Sequence, residues 1–329
     1  MYQQGGMLDR YLIRIHLVPI SHIIMLKSDF PPAYDDALHG RRPGYGNYPQ
    51  PPPAYGPYPA QSSAQYPGQA GHPLGYPPSG MPYSIPLGMP TSNPVEDDEF
   101  AYSTAWESTS IRHAFIRKVY LILAAQLIVT VSIVAVFTFV DEVRAFVIRN
   151  PAVYWTSFAV YLVTYCILVC CKGPRRRFPW NFVLLAIFTL AMSYMTGTIS
   201  SYYDTKAVFL TIGITAIVCI IVTIFCFQTK VDFTSCGGLF SILAIVLLVT
   251  GIITAIVLSF KYVPWLHMLY AAIGAVIYTL FLAYNTQLLI GNRKLSIGPE
   301  EYVFGALSLY VDIVQIFIFL LQLVGASTD

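Results

Sequence analysis

Charge is what this chain has least of. Asp, Glu, Lys and Arg make up only 11% of its 329 residues, against 56% hydrophobic, and the mean hydropathy is +0.59. That balance excludes an ordinary soluble domain and predicts an all-α polytopic membrane protein whose first partner is the lipid bilayer, with no nucleic-acid partner expected. The six cysteines show no zinc or redox spacing: Cys170 and Cys171 are adjacent, Cys166 lies one turn earlier, and Cys219, Cys226 and Cys236 lie in or beside other apolar runs. No disulfide framework, tightly bound metal or other cofactor is expected from them. The metalloprotease motif HExxH is missing, and only one acid lies deep in an apolar run, where an aspartyl protease needs two to share a proton. With no nucleophile–base constellation either, the chain does not read as an enzyme. Tyr11–Leu26 is broken by Arg14, His16, Pro19 and His22 and is followed by no small-residue cleavage site, so it is not a clean signal peptide.

What is present is a series of seven apolar runs, at about residues 119–140, 152–171, 178–200, 207–227, 236–260, 266–290 and 302–324. Each has the ~20 residues that a helix needs to cross a bilayer. The short connections set the orientation. Arg112, Arg117, Lys118, Lys172, Arg175, Arg176, Arg177, Lys230, Arg293 and Lys294 fall on the side of the amino-terminal tail, and Arg144, Arg149, Lys206 and Lys261 on the other. Positive charge accumulates in the cytosol, so the tail is expected there. The domains divide into a tail, 1–110, and a seven-helix membrane domain, 111–329.

From Phe30 to Pro94 the tail is dominated by Pro, Gly, Tyr, Gln and Ser. Such a segment buries too little apolar surface to offset its conformational entropy, and disorder with polyproline II character is expected. It holds two copies of PPxY, Pro31-Pro32-Ala33-Tyr34 and Pro52-Pro53-Ala54-Tyr55. In this pattern a preformed polyproline turn stacks in an aromatic groove and the tyrosine fills a second pocket, which predicts WW-domain partners such as ubiquitin ligases. Cys170 and Cys171, at a helix end beside Lys172, are palmitoylation candidates.

The polar residues inside the runs are few. Asp312, in the last run, is the one acid expected deep in the membrane, where an ionised carboxylate costs at least ~2.5 kcal/mol and marks a site by default. Gln126, Thr196, Thr198, Asn285, Thr286, Gln287 and Gln315 are expected mainly to form interhelical hydrogen bonds. Tyr284 and Tyr310 are expected to pack near the acid, and His267 at the interface far from the tail.

Several blocks carry a resemblance. They are Ile111–Tyr120, Gly173–Trp180, Met195–Ser200, Phe225–Thr234 and the Gly291–Tyr302 hairpin. Over Ser110–Val324 the chain resembles the transmembrane BAX inhibitor motif family, in its Lifeguard branch. The resemblance implies seven helices with the last at the centre, and a calcium leak across lysosomal, late-endosomal, Golgi or endoplasmic-reticulum membranes. It also implies suppression of cell death, with death receptors among the candidate partners. The family's proposed pH sensor is a pair of aspartates in the sixth and seventh helices. The seventh-helix acid corresponds to Asp312, but the sixth-helix position is Asn285.

That departure has physical content. Two close carboxylates share a proton, whereas an amide keeps the shape and hydrogen-bonds without the like-charge repulsion. The expected function is a weak Ca2+ path at Asp312 and Asn285, supported by Thr286 and Tyr310, with Ca2+ as transported ion and a shifted or blunted pH response. The alternative is a non-conducting membrane adaptor whose tail recruits WW-domain ligases to control receptor trafficking.

Overall fold

The computed structural model describes residues 94–260, 263–291 and 296–326, with side chains from Ser110 onward. The expected disorder of the tail, both PPxY motifs, and Lys261, Arg293 and Lys294 lie outside the described residues. Within them the regular structure is helical throughout. The helices are α1 (Pro94–Phe139), α2 (Asp141–Arg149), α3 (Pro151–Cys170), α4 (Lys172–Arg176), α5 (Trp180–Ser200), α6 (Thr205–Gln228), α7 (Gly237–Phe260), α8 (Pro264–Ile290) and α9 (Tyr302–Ala326). Short 3-10 turns, Thr234–Cys236 and Pro299–Glu301, lead into α7 and α9. Helix α1 begins upstream of residue 110.

Seven of these are long and apolar enough to cross a membrane, and the chain is a multi-pass membrane protein. Local chemistry sets their ends. Pro151 and Pro264 open α3 and α8, where a missing N–H costs nothing. The Asp204 carboxylate accepts from the Lys206 N–H at 3.2 Å to cap α6. Helix α8 stops at Gly291, whose φ of 73° lies in the left-handed region.

Helix α9 is the axis of the bundle. Of its spanning segment 89% is buried, against 17% for α6 and 28% for α1. The outer helices turn their apolar faces outward: Ile217, Ile220, Ile221 and Ile224 form an i, i+3, i+4, i+7 stripe on α6 and are 50–60% exposed, as a lipid-facing surface requires. Helix α9 lies closest to α8 and also packs on α6 and α5, while α3 pairs with α5. Glycines permit the close approaches: a Cβ on Gly274 would stand 2.5 Å from the Phe319 ring.

Candidate functional site

Asp312 lies ten residues into α9, ~15 Å from its start, and is fully buried. Across from it, α8 carries Asn285, 3% exposed. The Asn285 Nδ2–H donates to Asp312 Oδ2 at 2.7 Å, a length typical of a charge-assisted bond. The acid and the amide read from the sequence as one site therefore touch. Tyr278 of α8 and Cys219 of α6 lie within electrostatic reach of the same carboxylate. Of the two expected supporting residues, only Tyr310 has its hydroxyl placed by hydrogen bonds among the described residues. Thr286, also buried, has a hydroxyl that bonds none of the described residues, and the Tyr310 hydroxyl turns away to α1 and α5.

There it joins a polar ladder. Thr130 donates its proton to the Gln126 carbonyl at 2.9 Å. Its oxygen is then free to accept from Ser193 Oγ and from the Tyr310 hydroxyl, 2.9 and 2.8 Å away. One turn along, Gln126 Nε2–H donates to Thr189 Oγ1 at 2.9 Å. Beside the ladder is a cavity of about 160 Å³ between α1, α5, α6 and α9, lined by Thr130, Thr196, Thr215, Cys219, Val314 and Phe317 among others. The Thr196 and Thr215 hydroxyls are committed to carbonyls of their own helices, so the cavity presents apolar walls. Asp312 itself is wholly enclosed by the bundle.

The two ends of α9 are held differently. At its start Glu301, 2% exposed, is gripped by Arg175, 4% exposed. Arg175 Nε stands 2.6 Å from Glu301 Oε2 and Nη2–H donates to Oε1 at 3.0 Å. Arg176 Nε–H adds a bond to Oε1 at 2.6 Å, and the Arg175 guanidinium sits 4.8 Å over the Phe304 ring. Nearby, Arg112 donates from Nε to the Ile290 carbonyl at 3.1 Å and from Nη1 to the Ile297 carbonyl at 2.6 Å, closing the hairpin between α8 and α9. Gln287 ties the approach to α7 with two bonds, from the Phe233 N–H and to the Val231 carbonyl, both 2.8 Å. In that approach Asp232 is slightly desolvated, but hydrogen bonds from the Ser235 and Thr234 hydroxyls and N–H groups outweigh this and hold its carboxyl below the usual range. At the far end, Arg144 of α2 donates to the Ser201 and Tyr203 carbonyls at 2.8 and 3.1 Å, and Tyr203 abuts Gly325.

Several of these residues stand apart from their sequence reading. Arg175 counts there as one topological charge among ten, yet its side chain is buried and paired. Thr130, Ser193 and Glu301 carry no signal of their own, because each finds its partner more than 60 positions away. His267, in the first turn of α8, is buried at 3% exposure. Cys170 and Cys171 are exposed at the end of α3.

The sequence is similar to known proteins. Residues 112–329 match the family model described as inhibitor of apoptosis-promoting Bax1. The chain is 57% identical over 303 residues to protein lifeguard 3 of Homo sapiens and 55% identical to that of Mus musculus, each match covering 90% of this chain and 97% of the relative. It is 34% identical over 236 residues to the Golgi anti-apoptotic protein of vaccinia virus (strain Lister), covering 71% of this chain and 94% of the relative.

Proposed function

Because the chain belongs to the inhibitor of apoptosis-promoting Bax1 family, we propose that it is a calcium-leak protein of internal membranes that restrains apoptosis, including death-receptor signalling. The buried Asn285–Asp312 hydrogen bond carries this reading. A carboxylate at the centre of a bilayer bundle attracts cations, and a single carboxylate with an amide beside it supplies too few oxygens to trap Ca2+. A leak needs such weak, transient coordination. In this reading the tail faces the cytosol, as the arginine and lysine bias predicts, and the protein resides in lysosomal, late-endosomal, Golgi or endoplasmic-reticulum membranes. The name of the viral relative, which specifies Golgi, supports the Golgi among these.

The test is Ca2+ efflux from liposomes holding the purified chain. Flux that drops on Asp312→Asn supports the reading. Flux indifferent to that substitution, or none from the native chain at any pH, refutes it.

The two PPxY motifs favour a second role, compatible with the first, as a membrane adaptor for WW-domain ligases. Replacing both Tyr34 and Tyr55 with alanine should abolish binding to an isolated WW domain and leave Ca2+ flux unchanged. Retained binding counts against the adaptor.

A further inference from the structure

Along α9 the buried polar residues fall in one register. Ser308, Asp312, Gln315 and Gln322 are spaced i, i+4, i+7, i+14, the spacing of a single helical stripe, and none is more than 1% exposed. The position that continues this stripe between Gln315 and Gln322 is Phe319. It lies two turns, ~10 Å, beyond Asp312, and its surroundings are built around it. Gly274 of α8 leaves room for the ring, which occupies the space a Cβ would need. Tyr278 stacks on it with centroids 5.6 Å apart and an interplanar angle of 30°, and Tyr270 meets it edge-on at 5.5 Å. On one side of this aromatic layer are Asp312 and Gln315, whose buried amide bonds none of the described residues through either atom. On the other side, toward the Gly325 end, come Gln322 and His267, both buried.

We propose that Phe319, seated on Gly274 between Tyr278 and Tyr270, is the hydrophobic plug that closes the ion path between Asp312 and the Gly325 end of the bundle. This rests on the reading of the chain as a Ca2+ leak and names the residue that shuts it. A dry aromatic constriction gates by excluding water, and its barrier falls when the ring is removed or made polar. The unpartnered Gln315 amide, which by itself costs of order 1–3 kcal/mol when buried dry, gains partners once water passes the plug. The same geometry makes Phe319 the one break in the stripe and gives Gly274 a reason to lack a side chain.

The experiment measures Ca2+ efflux from liposomes containing the full-length native chain, Phe319→Ala, Phe319→Gln, Phe319→Leu and Asp312→Asn/Phe319→Ala, with folding checked by gel filtration in detergent. Phe319→Ala and Phe319→Gln are expected to raise the flux about tenfold or more, and Phe319→Leu to keep it near native, since a hydrophobic gate depends on apolar bulk. Adding Asp312→Asn should remove most of the gain. The glutamine variant fills more of the site than alanine does and serves if the alanine cavity prevents folding. Native flux that stays unchanged in folded Phe319→Gln overturns the plug and leaves the leak standing. If the native and all Phe319 variants pass no Ca2+, the leak itself fails and the plug with it.

Discussion

Restoring the acid that the resemblance leads one to expect at Asn285 is the sharpest test of the central pair. In the native protein the Asn285 amide donates to Asp312 at 2.7 Å, a contact that survives ionisation of the acid. In Asn285→Asp the same positions hold two carboxyl groups. If both ionise at that separation they repel by about 6 kcal/mol even at an effective dielectric of about 20, several times what one hydrogen bond contributes to stability. The variant pair therefore keeps one shared proton through neutral pH and holds α8 against α9 much as the native amide does. Loss of that proton as pH rises sets α8 and α9 against each other at the centre of the bundle. Ca2+ efflux from liposomes, measured in half-unit steps from pH 5 to 9, should show a steep rise with pH in Asn285→Asp and a shallow profile in the native chain. Superimposable profiles would refute the idea that the amide blunts the response.

Further outcomes follow from the ends of the helices and the approaches to them. Glu301→Gln leaves the buried Arg175 charge uncompensated and should cost about 3–5 kcal/mol, seen as a lower Tm in detergent. Glu300→Gln, which loses only an exposed contact with Arg176 at 3.5 Å, should cost less than about 1 kcal/mol. Gly291→Ala puts a side chain at φ 73° into the space of the Arg112 guanidinium. Backbone strain of about 1–2 kcal/mol plus the displaced clamp should lower Tm, and combining it with Arg112→Ala should cost less than the sum of the two. Asp232→Ala removes the acceptor for Thr234 and Ser235 and should cost ~1 kcal/mol at neutral pH. Because the folded carboxyl titrates below its unfolded range, that contribution is complete above ~pH 4 and lost as pH falls through the lowered value, so the gap between variant and native should close in acid.

The helices were legible because the bilayer demands uninterrupted apolar runs, and a run such as Gly237–Phe260 has no other stable use. Asp312 was legible by its cost alone. Its meeting with Asn285 was legible only through the resemblance, since nothing local ties residues 27 positions apart. The clamps at the ends of α9 were not. Arg175 and Glu301 are separated by 126 positions, and in a chain read for topology an arginine beside Arg176 and Arg177 looks like one more charge in water. The Thr130–Ser193–Tyr310 ladder was hidden for a related reason: a threonine in an apolar run bonds its own helix whether or not it also reaches a neighbour, and the sequence looks alike in both cases.

The burial of α9 on nearly every side also bears on how the protein is made. A segment carrying Asp312 enters a bilayer against a penalty of ~2.5–3.5 kcal/mol for the acid at its centre, and its remaining polar stripe adds to that. Helix α8 is synthesised immediately before it and already presents Asn285, so the carboxylate meets its donor once the second arm of the hairpin emerges. Inserted as one unit, α8 and α9 would hide the acid from lipid during biogenesis, with the five preceding spans supplying the walls into which that hairpin closes.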